Sequence, residues 1–169
     1  LNRSLSTLSP APSGTRATQV RAGLSTLPAA SAGTVGAVRG EWVTGNWVRS
    51  RPRAEQQILY YLHGSGYVIC SPRTHRGLVA RLSRRTGMAA FSLDYRLGPR
   101  HRFPAAGDDA IRGYHWLLEQ GYAASNIVVA GDSAGGHLAL DLLADNQRTG
   151  TPQPARMALF SPLYDPTFT

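Results

Sequence analysis

Residues 131–136 read Gly131-Asp132-Ser133-Ala134-Gly135-Gly136 and lie between an apolar run at 127–130 and an amphipathic run at 137–143. This order predicts a buried strand, a sharp turn and a helix. A serine with a glycine two residues before it and another two residues after it is typical of a nucleophile elbow, which strains the serine backbone and exposes its hydroxyl. A side chain in place of either glycine would collide with the neighbouring strand or helix. The N–H of Ala134, at the helix start, would then point at a developing oxyanion.

Two other interpretations fit the same stretch. Gly131 and Gly136 have the outer spacing of a phosphate-binding loop, but His137 stands where that loop requires a lysine. A plain strand-to-helix turn built from small residues also fits. The stretch alone leaves these alternatives open.

A second glycine-rich segment lies earlier in the chain. The strand predicted at 57–62 runs directly into His63-Gly64-Ser65-Gly66-Tyr67. A loop between a strand and a helix, ahead of the elbow, is where the other half of an oxyanion hole belongs, since glycines let N–H groups turn inward. We interpret His63 as a structural residue of this loop rather than as the general base, because a base has to reach Ser133 from another direction.

Together these segments resemble the hormone-sensitive-lipase family of α/β-hydrolases, the bacterial esterases and lipases with a His-Gly-Gly-Gly loop. The matching segments run in the family's order from about residue 35 onward, and they are 61–68, 94–99 with 103–106 and 108–110, and 131–136. The resemblance implies an α/β-hydrolase fold, which is a mostly parallel sheet with helices on both faces. It also implies a serine carboxylester hydrolase that acts through an acyl-enzyme.

The resemblance implies roles for individual residues. Ser133 would be the nucleophile. The backbone N–H groups of Ser65, Gly66 and Ala134 would form the oxyanion hole. Asp132 would help to hold the loops of the active site in place. The residues that would support this site are His63, Gly64, Gly131, Asp132 and Gly135. No metal and no cofactor is implied.

Two positions depart from the family's pattern. Ser65 replaces the middle glycine of the His-Gly-Gly-Gly loop, so its hydroxyl would either add a donor or crowd the acyl group. Arg100 stands where the family usually has a glutamate, which reverses a charge. Asp94 and Arg96 match the family and would tie a strand end to the segment around Pro104.

The acid and the histidine of the triad follow the serine in this fold. After Ser133 the one histidine in the sequence is His137, whose ring would point along the helix rather than across the turn. Asp141 and Asp145 form an i,i+4 pair typical of a solvated helix face, and Asp165 lies too early for the family's acid. We therefore expect an internal fragment of a longer hydrolase, with acid and base beyond its last residue. The alternative is a naturally shortened protein.

Composition and charge narrow the function classes. With 169 residues, of which 42% are hydrophobic, the chain can build one core, and no run approaches the roughly 18 apolar residues of a membrane span. Its one cysteine, Cys70, excludes an internal disulfide. The net charge of +8 comes from arginines that are spread along the chain without a nucleic-acid-binding module. We expect no nucleic-acid partner and a cytoplasmic location.

The chain divides into two predicted parts. Residues 1–34 are rich in Ser, Thr, Ala and Pro, a composition that fits a flexible segment or a transit peptide. The resemblance implies instead that they are the remnant of the family's N-terminal cap, which we favour over the transit peptide. Residues 35–169 would form a partial α/β-hydrolase domain. It would begin with a hairpin at 41–48 and continue with helices near 74–86 and 107–120 and strands at 89–93, 127–130 and 157–160. This alternation predicts a parallel sheet.

The sequence thus predicts an esterase or lipase that acts on a small-molecule or lipid ester. The alternative is a non-catalytic small-molecule-binding protein on the same fold that has lost the base. Residues downstream of the chain would decide, because an acid followed by a histidine near the end supports the enzyme.

Overall fold

The computed structural model describes the backbone of residues 17–19 and all of residues 38–43 and 53–164. Within these residues, six strands form one sheet in the order β1-β2-β4-β3-β5-β6. The strands are β1 (Ala17–Gln19), β2 (Gly40–Val43), β3 (Ile58–Leu62), β4 (Ala89–Leu93), β5 (Ile127–Asp132) and β6 (Arg156–Phe160). The pairs β4–β3, β3–β5 and β5–β6 are parallel, whereas β1–β2 and β2–β4 are antiparallel. This is the mostly parallel sheet that the alternating pattern predicts.

Among the same residues, three α-helices cover the two faces of the sheet. They are α1 (Pro72–Thr86), α2 (Ala105–Glu119) and α3 (Ala134–Thr149). Side chains alternate between the faces along each strand, so Tyr60 and Phe91 pack with α2 and α3, while Tyr61 and Ala90 pack with α1. Each face therefore buries its own apolar cluster, as the fold class requires.

The ends of the first two helices follow from local sequence. Ser71 and Thr74 form a capping box at the start of α1, and Gly87 ends that helix in the left-handed region with φ +73°. The apolar residues of α2 that the 3.6 period predicts to face inward include Ala110, Tyr114 and Leu117, and all three are buried. Both helices begin two residues before the predicted starts.

The N-terminal side of the sheet differs from the sequence-based expectation. β2 has β1 at one edge and β4 at the other, so its partners are distant in sequence rather than the neighbouring arm of a hairpin. The other predicted arm, residues 46–48, lies outside the described residues. β1 is the described part of residues 1–34, so the division at residue 34 stays a prediction.

The parallel register brings the two glycine-rich segments together. Leu62 at the end of β3 pairs with Gly131 near the end of β5. Because the carboxyl ends of parallel strands lie at one edge of the sheet, residues 63–67 and 132–136 emerge side by side. This edge is the usual place of ligand sites in α/β sheets.

Candidate active site

Ser133 lies at the apex of a strained turn between β5 and α3. Its φ of +50° and ψ of −118° are values that residues with a Cβ rarely adopt, and its side chain is exposed. A Cβ at Gly131 would lie 2.5 Å from the carbonyl carbon of Gly135, and a Cβ at Gly135 would lie 2.0 Å from the carbonyl oxygen of Leu62. Both glycines are therefore required by the close crossing of the turn with α3 and with β3.

The backbone of Ser133 is held from two sides. Its N–H donates to the carbonyl of Phe160 at 3.0 Å, and its carbonyl accepts the N–H of Leu163 at 3.0 Å. The same carbonyl accepts the N–H of His137 at 3.1 Å in the first turn of α3. Neighbouring segments thus offset the cost of the strained conformation.

Asp132 connects β5 to the glycine-rich loop. Its Oδ1 accepts the hydroxyl of Tyr61 at 2.7 Å and the N–H of Gly64 at 2.8 Å. Its Oδ2 lies 3.4 Å from Nε2 of His75 on α1. A Cβ at Gly64 would come within 2.1 Å of Oδ2, so only glycine lets the loop approach the carboxylate this closely.

The hydroxyl of Ser65 is engaged inside the loop. Tyr95 donates its phenol proton to the carbonyl of His63 at 2.5 Å, and burial raises the pKa of Tyr95, which keeps that proton in place. Ser65 therefore donates to the Tyr95 oxygen at 2.7 Å and accepts the N–H of Tyr67 at 2.8 Å. The left-handed positions of the loop fall on Gly66 and Tyr67 rather than on Ser65. The serine thus locks the loop and neither adds a free donor nor crowds the space above it.

His63 is a buried, neutral ring in this structure. It stacks on Tyr95 with ring centroids 4.3 Å apart and on His75 at 5.4 Å. Its Nδ1 lies 3.2 Å from the carbonyl of Gly64, which can only accept, so the proton is on Nδ1. Burial is the largest cause that lowers the pKa of His63 from 6.5 to about 4. These contacts occupy the ring of His63, and its structural role in the loop stays a prediction.

Both ring nitrogens of His137 lie near other side chains. Its Nδ1 makes a short contact with the hydroxyl of Tyr67, and its Nε2 lies 3.7 Å from Oδ1 of Asp141. The hydroxyl of Tyr67 also lies 3.3 Å from the carbonyl of Ala134. The sequence-based interpretation placed this imidazole along the helix, but it gave no role to Tyr67. Asp165 lies outside the described residues.

The strand end at residues 94–96 is tied to the start of α2 by Arg96. Its guanidinium and its N–H contact the carboxylate of Asp109 at 2.8–2.9 Å, and its Nη2 reaches the carbonyl of Ala105 at 3.3 Å. Asp94 does not share this role, because its N–H donates to the carbonyl of Arg39 while its side chain makes no hydrogen bond within the described residues. Arg100 is exposed and forms no ion pair with any of the described residues.

No three side chains of His, Cys, Asp or Glu come together in a way that would hold a metal ion in the part of the chain that the structure describes. None of the helices described combines the length and the apolarity that crossing a bilayer requires.

Proteins with sequences similar to this chain are named as ester hydrolases. The family described as the alpha/beta hydrolase fold matches residues 59–169. An acetyl-hydrolase of Streptomyces hygroscopicus is 41% identical over 82% of this chain and 44% of its own length. The carboxylesterase/phospholipase LipF of Mycobacterium tuberculosis (strain ATCC 25618 / H37Rv) is 41% identical over 63% of this chain and 28% of its own. The chain spans less than half the length of these relatives.

Solved structures give the same picture. The esterase EstE5, soaked with p-nitrophenyl butyrate, superposes with a TM-score of 0.74 at 38% identity, covering 89% of this chain and 45% of that one. An esterase from the bacterial hormone-sensitive lipase family superposes with a TM-score of 0.70 at 41% identity, covering 76% and 41%.

Proposed function

This chain belongs to the α/β-hydrolase family, and on that basis we propose that the whole protein is a serine carboxylester hydrolase with Ser133 as its nucleophile. The observation that carries the proposal is the strained, exposed Ser133 beside a loop that Asp132 holds through the N–H of Gly64 at 2.8 Å. Ser133 therefore lies beside the loop that would stabilise the tetrahedral oxyanion, at one edge of the sheet.

The proposed oxyanion hole uses three backbone donors. Among the described residues, the N–H groups of Ser65 and Gly66 have no acceptor, although Ser65 is buried. The N–H of Ala134 is the first of α3 and so has no partner within the helix. Buried donors without a partner are costly, and a negatively charged oxygen above Ser133 would satisfy them.

The proposed reaction has two steps. Oγ of Ser133 attacks the ester carbonyl carbon, its proton passes to a base, and the tetrahedral oxyanion collapses as the alcohol leaves with that proton. Water then attacks the acyl carbon while the base takes one of its protons; the bond to Oγ breaks, the acid is released, and the proton returns to Oγ of Ser133. His63 and His137 are committed to other contacts, so we propose a histidine later in the whole protein as the base.

The substrate proposed is a small-molecule or lipid ester. The names of the relatives, acetyl-hydrolase and carboxylesterase/phospholipase, support this class. The cytoplasmic location expected from the sequence stays a prediction that cell fractionation would test.

Replacement of Ser133 tests the proposal in the full-length protein. With p-nitrophenyl esters as substrates, Ser133→Ala should lower kcat by about four to six orders of magnitude. A fluorophosphonate probe should label Ser133, and Ser125→Ala, which changes an exposed serine, is the matched control. Labelling of a different serine, or full turnover by Ser133→Ala, would contradict the assignment. Tight ester binding without turnover by the unmodified protein would favour a binding protein instead.

A further inference from the structure

Tyr67 joins the glycine-rich loop to α3. Its N–H donates to Oγ of Ser65 at 2.8 Å and its carbonyl accepts the N–H of Gly98 at 2.7 Å. Tyr67 has a φ of +63°, so these bonds hold a backbone conformation that is unfavourable for a tyrosine. Its ring reaches across to the first turn of α3, where the hydroxyl meets His137 and the carbonyl of Ala134.

The direction of the Tyr67–His137 hydrogen bond follows from the other partner of the ring. Nε2 of His137 lies 3.7 Å from Oδ1 of Asp141, and an ionised carboxylate can accept a hydrogen bond but cannot donate one. That neighbour favours the tautomer with its proton on Nε2, which leaves Nδ1 as an acceptor. The single proton of the Tyr67 hydroxyl is then shared between Nδ1 and the carbonyl of Ala134, which also can only accept. Burial, followed by the charge of Asp141, raises the pKa of Tyr67 to about 12, so its hydroxyl is a donor at neutral pH.

The glycine-rich loop also needs a fastening, that is, a contact that holds it to the rest of the fold, at the end that follows Gly66. Asp132 holds Gly64 at its start, but Gly66 has a φ of +53° and a Cβ built there would meet nothing within 4 Å. The donors proposed for the oxyanion come from both sides, Gly66 from the loop and Ala134 from α3. Their spacing therefore depends on how firmly the residue after Gly66 is attached to α3.

We propose that the hydrogen bond from the Tyr67 hydroxyl to Nδ1 of His137 is the second fastening of the oxyanion loop, and that Tyr67 and His137 are positioning residues for ester hydrolysis. This inference rests on the proposed function of Ser133. The role of Asp141 is indirect, because its carboxylate sets the tautomer of His137. Neither Tyr67 nor His137 exchanges a proton with the substrate.

The test uses Tyr67→Phe in the full-length protein, because phenylalanine keeps the ring and removes only the hydroxyl. We expect kcat for p-nitrophenyl esters to fall about tenfold, the effect of one hydrogen bond, with KM within about twofold of its original value. Misplaced donors weaken the transition state and leave ground-state binding unchanged. Tyr164→Phe, at a tyrosine that is 77% exposed, is the matched control.

Substitutions of His137 identify the partner atom. His137→Leu should lose no more kcat than Tyr67→Phe, which also removes the contact with the carbonyl of Ala134. The double variant should be no worse than Tyr67→Phe alone, because the hydroxyl is then already absent. His137→Asn places an amide oxygen near the position of Nδ1 and should restore kcat to within about threefold of the unmodified protein. Losses that multiply in the double variant, or an unchanged kcat with a lowered melting temperature, would overturn the proposal.

Hydrogen exchange separates this inference from the proposed function. Without any substrate, the amides of residues 64–69 should exchange about tenfold faster in Tyr67→Phe than in Tyr164→Phe. Faster exchange in a protein that hydrolyses no ester would refute the esterase proposal and the positioning role in hydrolysis while leaving the fastening itself in place. Unchanged exchange together with unchanged kcat would refute the fastening alone.

Discussion

Replacing His63 by asparagine should remove a pH-dependent part of the protein's stability. His63 is fully buried between the rings of Tyr95 and His75, and burial lowers its pKa from 6.5 to about 4. The unfolded chain therefore takes up a proton at a higher pH than the folded protein does. Stability from this group is fully present above about pH 6.5 and is lost as the pH falls towards 4.

The magnitude follows from the two pKa values. At about 1.36 kcal/mol for each pH unit between 6.5 and about 4, the loss comes to about 3 kcal/mol. The asparagine side chain would not titrate, and its amide N–H₂ would lie near the position of Nδ1, so His63→Asn retains a donor for the carbonyl of Gly64. The unfolding free energy of the unmodified protein should therefore fall about 3 kcal/mol more steeply than that of the variant across this range.

Urea unfolding of both proteins from about pH 7.5 to about pH 4 would measure the difference, in which contributions from the other titrating groups cancel. His101→Asn, at an exposed histidine, is the matched control and should follow the unmodified protein. Parallel curves for the unmodified protein and His63→Asn would refute the reasoning. A relative gain of stability by the unmodified protein at low pH would show that His63 is charged in the folded state.

Two further pairs of substitutions, each a test and its control, concern the turn and the loop. Gly135→Ala should lower the unfolding free energy by more than about 3 kcal/mol, since its Cβ would lie 2.0 Å from a backbone oxygen. Gly77→Ala, in an open helical position, should raise it by about 0.5–1 kcal/mol; urea unfolding measures both, and equal stability of the two variants would contradict the prediction. Ser65→Pro should lower kcat in ester hydrolysis because it removes one proposed oxyanion donor. The lost transition-state stabilisation should be about 3 kcal/mol. Ser65→Ala keeps that N–H and should retain kcat within about tenfold, whereas unimpaired turnover by Ser65→Pro, folded by circular dichroism, would exclude Ser65 from the hole.

The sequence predicts most of the sheet and the helices because their signals are local. The 3.6 period of α2 and the apolar runs of β3, β4 and β5 depend on residues within one element. The stretch 131–136 is informative for the same reason, since a serine between two glycines encodes both the turn and the close crossing that it permits.

The sequence patterns did not predict contacts between segments that lie far apart in the chain. The pairing of β2 with β1 depends on residues more than twenty positions away in the chain, and a turn signal at Thr44-Gly45 favours a hairpin instead. The meeting of Tyr67 with His137 depends on the parallel register of β3 and β5. Arg96 binds Asp109 because α2 carries that carboxylate to the strand end, and the sequence did not indicate this partner.

Asp132 and Ser133 are adjacent residues, yet one holds the facing loop and the other presents the exposed hydroxyl. One peptide unit therefore carries the loop's anchor point and the nucleophile together. A shift of β5 would move the nucleophile together with the hydrogen bond that holds Gly64, because both belong to the same end of that strand.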